Sequence, residues 1–407
     1  MSARQSETTR IAALDTLRGV AVMGILLLNI IGFAMPQAAY SNPRAYGGWH
    51  GADLAVWAIN AVFFDGRMRA LFSLLFGAST LLVIERAEAA GRSPAVAHFS
   101  RMGWLLLFGL AHLWLVWEGD ILALYALIGM AAFRSRKLPV ERLLVLGLML
   151  ACANAVIFAA VAAPLWQSTP DPHALESLIR GFGTPPSTEI ARELALYRGD
   201  YATILADRFR ESRFGPIQLA GLYGPETLAY MLFGMAALRT GMLTGAWPRA
   251  RYRRWLLVCW GVTLPLYAAL AWWMIASGFA LAPVLLATFV LGTPLRLPMM
   301  LGWVCLILLL ARPGGALTTR IAAAGRMAFS NYLLTSLICT TLFYGYGLDR
   351  FGTLSRWQCH LVVMGVWAAM LLWSKPWLAR FRYGPLEWAW RSLSRFRFEP
   401  MRGPARA

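Results

Sequence analysis

Ionisable side chains inside or beside long apolar stretches are costly and usually mark a working site. His50 and Asp53 lie three residues apart in the segment WHGAD. At that spacing Asp53 could orient the His50 imidazole, and an oriented histidine is the commonest general base. Asp53 could instead cap the start of a helix, where a carboxylate accepts hydrogen bonds from exposed amides. The spacing leaves both interpretations open.

Two more polar residues lie near the same predicted membrane surface. Asn29 stands in an otherwise apolar run, and Arg67 begins the segment RMRALFSLLFG. Asn29 could form a hydrogen bond between helices or contact a substrate. Arg67 could extend to lipid headgroups or bind an anionic substrate.

The segment WEGDILALY places Glu118 and Asp120 in a tight turn between two apolar runs. Turn residues are free to be acidic, so these carboxylates are either ordinary turn residues or candidates for substrate contact. His112 lies about two helical turns earlier, and it is either an interhelical hydrogen-bond donor or a ligand for substrate; in a carrier, Asp120 or His112 would relay a proton. Asn331 and Tyr332, in GRMAFSNYLLTS, are further candidates for substrate contact.

Arg296 lies in the middle of an apolar run, between Pro294 and Pro298. Prolines break helices and free backbone carbonyls. Broken helices occur within membranes only where they line protein or a water-filled cavity. We therefore expect Arg296 to meet a phosphate or a carboxylate, either on a ligand or in a structural ion pair.

Several classes of site and partner are excluded. Five scattered histidines and five cysteines without a CxxC pair predict neither a metal site nor a disulfide framework. The sequence has no Walker loop, no GxGxxG and no HExxH. The net charge of +18 is typical of basic cytoplasmic loops in a membrane protein, so we expect no nucleic-acid partner.

The composition defines the elements that position these residues. Apolar residues make up 58% of the 407 residues and charged residues only 14%, which is too apolar for a soluble domain. Apolar runs of about 20 residues predict an all-α polytopic membrane protein with about ten transmembrane helices. Residues 52–64 are too short to cross and predict a re-entrant or interfacial helix.

A single membrane domain over residues 1–407 is expected. It divides into five N-terminal spans over 12–165, an extracytoplasmic insertion over 166–215, five C-terminal spans over 216–380 and a basic cytosolic tail over 381–407. Basic residues collect on the side of the N-terminus when 52–64 does not cross. The positive-inside rule then places both termini in the cytosol, with membrane lipids around the spans.

Six motifs together resemble the YeiB-like family of bacterial inner-membrane proteins, over residues 10–393. They are LDTLRGVAVMGILLLN (14–29), SNP (41–43), GRMRALFSLLFGA (66–78), WEGDILALYALIG (117–129), GRMAFSNYLLTSLICTTLFY (325–344) and GPLEWAWR (384–391). The resemblance implies an inner-membrane protein with a transmembrane-acyltransferase-like bundle. It also implies acyl-CoA as the donor, a glycan or small-molecule acceptor, and a possible homodimer.

The family is grouped with the transmembrane acyltransferases, and by likeness to those enzymes Asn29 corresponds to their asparagine and His50 to their acyl-transfer histidine. His50, oriented by Asp53, would deprotonate the hydroxyl or amine acceptor, and Asn29 or Arg67 would stabilise the oxyanion. Arg296 would hold the phosphates of acyl-CoA, with no metal required. Two rivals use the same features: a transporter or flippase for an anionic solute or lipid-linked precursor, and a non-catalytic membrane partner.

Overall fold

The computed structural model describes the backbone of residues 3–402 and the side chains from residue 12 onward. Within that range the chain is all-helical, as predicted, and no strand is present. The helices are α1 Ala3–Ala34, α2 Gly51–Ile59, α3 Arg67–Ala89, α4 Pro94–Leu115, α5 Leu122–Ala132, α6 Val140–Ala162, α7 Pro172–Phe182, α8 Ser187–Tyr197, α9 Tyr201–Glu211, α10 Gly215–Arg239, α11 Arg249–Ala276, α12 Leu281–Leu285, α13 Gly292–Leu310, α14 Ala316–Arg326, α15 Ala328–Phe343, α16 Arg356–Arg380 and α17 Pro385–Ser394.

Six helical stretches in the described residues are long and apolar enough to cross a membrane. They are Ala12–Ala34, Gly51–Ala89, Val140–Trp166, Arg249–Ala276, Leu281–Leu310 and Arg356–Arg380. Leu122–Ser135 and Ala328–Phe343 are shorter apolar helices. The chain is therefore a membrane protein, while the total of ten spans stays a prediction.

Close helix crossings hold the bundle together. α3 packs against α10, and a Cβ atom on Gly234 would lie 1.8 Å from the Leu74 carbonyl oxygen. The reciprocal position, Gly77, would bring a Cβ atom to 2.1 Å from the Met231 carbonyl oxygen. The missing side chains at these two positions let the helix backbones meet directly, as small residues do in membrane helix pairs.

We predict that Gly234→Ala destabilises the protein by about 1–3 kcal/mol, because the added methyl must push α3 and α10 apart. Unfolding of the purified protein in detergent measures the effect. The matched control is Gly261→Ala on α11, where a Cβ atom would meet nothing within 4 Å. Equal stability of the two variants would contradict this account of the crossing.

The predicted helix break around Arg296 takes a different form. α13 runs through Pro298, and the irregularity precedes it as a π-helical turn over Leu286–Leu291. Proline removes a backbone donor and so frees carbonyls in the preceding turn. The Thr293 hydroxyl donates to the Phe289 carbonyl at 2.6 Å and Arg296 Nη2 donates to the Thr288 carbonyl at 3.4 Å. Side chains thus donate to carbonyls of the π-helical turn, and the helix bulges without breaking.

A second π-helical turn, Asn60–Phe64, follows α2 and leads to a left-handed glycine before α3. Gly66 has φ +71°, and a Cβ atom there would lie 2.6 Å from Arg296 Nε. The turn therefore brings the start of α3 against α13, at the level of its buried arginine.

The two ends of the bundle are covered differently. The short helices α7, α8 and α9 cover one end, where Glu193 accepts a hydrogen bond from the Gln37 amide at 2.7 Å. α17 docks at the opposite end, where Glu387 accepts hydrogen bonds from the Phe329 and Ser330 amides at 2.8 and 3.1 Å. Burial raises the pKa of the Glu387 carboxyl. The tail helix α17 is therefore part of the packed bundle.

Candidate active site

Two cavities enter the bundle from its opposite ends. The larger, the insert-side cavity, has about 680 Å³ and lies beneath α8 and α9. The smaller, the tail-side cavity, has about 370 Å³ and lies beside α17. Ile121 lines both cavities, so a single layer of side chains separates them there.

The insert-side cavity collects several of the residues predicted from sequence. Asn29, Glu118, Asp120 and Arg296 line it, although they lie on three different parts of the chain. Arg69, two residues after the predicted Arg67, lines it as well. The structure therefore brings four of the predicted site residues together in one cavity.

The tail-side cavity combines a cationic rim with an apolar floor. Its floor includes Phe72, Phe76 and Leu105, and Tyr332 lines its inner wall. Asp15 is paired with Arg18 at 2.9 Å. The arginines that line this cavity are Arg18, Arg86, Arg101, Arg326, Arg382 and Arg391. This density of positive charge beside an apolar floor fits a ligand with phosphates and an apolar arm.

The layer between the cavities contains a buried histidine–aspartate pair. His112 Nδ1 and Asp120 Oδ2 lie 2.7 Å apart, and both residues are fully enclosed. The other Asp120 oxygen accepts a hydrogen bond from the Ala123 amide at 2.8 Å. The His112 ring lies 5.3 Å from the Tyr332 ring, and Tyr332 lines the tail-side cavity. His112 therefore lies between residues of both cavities.

The hydrogen bonds of this pair determine what it can do. Asp120 Oδ1 accepts from the Ala123 amide, which leaves Oδ2 for His112, and in the tautomer protonated at Nδ1 the imidazole donates to Oδ2. His112 Nε2 is buried and has no hydrogen-bond partner, and the same is true of the Tyr332 hydroxyl. An oriented imidazole with a free Nε2 is the arrangement of a general base. The nearby free hydroxyl can donate to an oxyanion.

A charge cluster that sequence reasoning did not identify lies beside the insert-side cavity. Glu226 of α10 binds both Arg69 and Arg296, and accepts a further hydrogen bond from the Tyr230 hydroxyl at 2.9 Å. The Glu226 amide donates to Asn154 on α6 at 3.1 Å. The expected carboxylate partner of Arg296 is thus a protein side chain. A single acid in the apolar run GLYGPETLAYM was the sequence signal.

Arg67 lies apart from the insert-side cavity. Its guanidinium stacks on the Tyr267 ring at 3.5 Å and donates to the Asp65 carbonyl. It lines a separate void of about 30 Å³, and its Nε and Nη2 atoms have no partner. A void of that size has room for an ordered water molecule. The buried position excludes the predicted contact with lipid headgroups.

The predicted pairing of His50 with Asp53 is wrong. Asp53 accepts a hydrogen bond from the Trp357 amide at 2.9 Å and so caps α16, a helix distant in sequence. His50 is exposed and stacks on Trp49 at 4.0 Å between ring centroids. Among the residues with described side chains, no hydrogen bond orients the His50 ring. The partner of Asp53 is distant in sequence, which explains why the local spacing of His50 and Asp53 was misleading.

Asn331 has a structural environment and lines neither cavity. Its amide nitrogen donates to the Ala324 carbonyl at 3.0 Å and to Ser374 at 3.2 Å, and its oxygen accepts from the Trp373 indole at 2.9 Å. These bonds join α14, α15 and α16. The predicted substrate contact of Asn331 has no geometric support, because its hydrogen-bonding groups are already used.

The comparisons with known proteins agree with the motif resemblance. A family model described as "Protein of unknown function (DUF418)" matches residues 237–397. The chain is 34% identical to the uncharacterised protein YeiB of Escherichia coli K12 over 396 residues, which cover 95% of this chain and 96% of that one. It is 28% identical to the uncharacterised protein YxaH of Bacillus subtilis 168, over 98% of both chains. No solved structure matches the chain. Identity at this level over nearly the whole of both chains shows that this protein belongs to the YeiB family.

Proposed function

We propose that this protein is a transmembrane acyltransferase with His112 as its general base. The observation that carries the proposal is the buried His112–Asp120 pair with its free Nε2: Asp120 lines the insert-side cavity, and the His112 ring lies 5.3 Å from Tyr332, which lines the tail-side cavity. An acyl donor in one cavity and an acceptor in the other would meet at this pair. The proposal moves the predicted base from the exposed His50 to a buried histidine.

The tail-side cavity supplies the donor site in this proposal. Its arginines suit the phosphates of acyl-CoA, and its apolar floor suits the pantetheine arm and acyl chain. Basic-residue placement predicts that this end faces the cytosol, where acyl-CoA is made. Arg296 is not needed for the donor, since Glu226 already neutralises it beside the other cavity.

The proposed reaction needs one proton transfer in each direction. His112 Nε2 takes the proton of the acceptor hydroxyl or amine, whose oxygen or nitrogen then bonds to the thioester carbon. Asp120 stabilises the imidazolium, and the Tyr332 hydroxyl donates to the oxyanion. The carbon–sulfur bond then breaks, the thiolate of coenzyme A leaves, and it recovers the proton from His112. Acylated acceptor and free coenzyme A are the products.

Coenzyme A binding tests the donor site without requiring an acceptor. We expect acetyl-CoA to bind the purified protein, and the double variant Arg86→Gln/Arg326→Gln to weaken binding about tenfold or more, through lost charge-assisted contacts. Both arginines are exposed at the cavity rim, so the variant should fold. The control is Arg253→Gln, an exposed arginine of α11 outside the cavity. Unchanged affinity in the double variant would contradict this donor site.

A carrier for an anionic solute is the second candidate function. Two cavities from opposite ends with one layer of side chains between them also suit alternating access. In that case His112 and Asp120 would relay a proton. Counterflow of an unmodified solute in proteoliposomes, without release of coenzyme A, would favour the carrier.

A further inference from the structure

Arg208 of α9 is a buried arginine that the catalytic proposal does not use. It is 2% exposed and lines the insert-side cavity. Its Nε donates to Glu118 at 3.2 Å, whereas its two terminal nitrogens, Nη1 and Nη2, are buried and have no partner. A guanidinium normally uses the edge formed by Nη1 and Nη2 to bind two oxygens of a carboxylate or a phosphate.

The neighbours of Arg208 fix its orientation and add another donor. The Tyr197 hydroxyl donates to the second Glu118 oxygen at 2.8 Å. Burial and the Glu118 charge raise the pKa of Tyr197 well above its usual value, so this hydroxyl stays protonated. The Arg208 guanidinium lies 5.6 Å from the centre of the Tyr344 ring, and the Tyr344 hydroxyl is also buried without a partner. The Tyr344 side chain therefore lies beside the guanidinium of Arg208.

Three acidic residues of this cavity are already bound to other arginines. Glu189 pairs with Arg192 at 2.9 Å. Asp207 and Glu211 both pair with Arg210, at 3.1 Å each. Glu118 contacts only the Nε side of Arg208. The charges in the described part of this cavity thus leave the terminal edge of Arg208 available to an external anion.

We propose that Arg208 binds an anionic group, a phosphate or carboxylate, on the acceptor substrate. The identification of the ligand as the acceptor substrate rests on the proposed function. The anion site itself rests only on the contacts above. Glu118, which fixes Arg208, lies two residues before Asp120 in the same turn, and all three residues line one cavity. An acceptor anchored at Arg208 would extend its hydroxyl or amine toward the His112–Asp120 pair.

The test is a titration with inorganic phosphate, and separately with acetate, of the full-length protein in detergent, followed by thermal shift. We expect phosphate, acetate or both to stabilise the wild-type protein, and Arg208→Gln to weaken the apparent affinity about tenfold or more. The probe that raises the melting temperature more identifies the anionic group as a phosphate or a carboxylate. Arg208→Lys, which keeps the charge without the paired edge, should bind more weakly than wild type and serves if Arg208→Gln does not fold.

Two controls separate this site from the others. Arg192→Gln removes an exposed, paired arginine of the same cavity and should leave the response unchanged. Arg326→Gln removes an arginine of the tail-side cavity. Loss of the response in Arg326→Gln but not in Arg208→Gln would overturn the proposal, as would a wild-type protein that responds to neither anion. This titration does not measure acyl transfer. Anion binding at Arg208 would therefore remain valid even if the protein proved not to be an acyltransferase.

Discussion

His112→Ala should lower the rate of acyl transfer by about 10²–10⁴-fold while leaving acetyl-CoA binding intact. The variant removes His112 Nε2, the atom that we propose abstracts the proton from the acceptor. Asp120→Asn should lower the rate as well, because an amide at that position cannot hold the imidazole in the same tautomer. The measurement is the release of free thiol from acetyl-CoA in the presence of acceptor.

His50→Ala is the matched control for this prediction. His50 is exposed and lacks the hydrogen bond that would orient it, so the variant should keep the wild-type rate. A rate that falls in His50→Ala but not in His112→Ala would return the catalytic role to the loop histidine. Both variants must first show unchanged thermal stability.

Glu226→Ala should cost about 3–5 kcal/mol of stability, since it leaves Arg69 and Arg296 without their shared carboxylate. Glu226 is enclosed by the bundle, so the variant leaves two arginines facing a buried position without a carboxylate. The double variant Glu226→Gln/Arg296→Gln should recover part of the loss, because it removes one of the two uncompensated charges. Unfolding in detergent measures both.

Glu176→Ala is the control for Glu226→Ala. Glu176 pairs with Arg180 on the exposed surface of α7, where an ion pair contributes little. We expect no more than about 1 kcal/mol of change in that variant. A Glu226→Ala protein as stable as Glu176→Ala would show that the buried cluster does not support the fold.

The sequence was sufficient to predict those features that depend on long apolar runs and local spacing. The all-helical architecture is confirmed, because each helix depends on residues close together in the chain. Arg296 was expected to meet a carboxylate or a phosphate, and it does meet a carboxylate.

The sequence could not reveal partners that the bundle brings together from distant segments. Asp53 caps α16, some 300 residues away, and Glu226 of α10 joins arginines from α3 and α13. The pairing of His112 with Asp120 depends on how the loop after α4 folds back onto the C-terminal end of that helix. A helical spacing rule compares residues of one helix, so it does not predict this contact.

Vectorial transfer of an acetyl group in proteoliposomes tests the central claim most directly. Labelled acetyl-CoA would be added outside vesicles that contain the purified protein and trapped glucosamine, glucosamine 6-phosphate, glycerol 3-phosphate or glucose. The account predicts labelled acetyl ester or amide on a trapped acceptor, with free coenzyme A outside, and about 10²–10⁴-fold less of both with His112→Ala. Folded protein that gives no more labelled product than His112→Ala with any of these acceptors would contradict it.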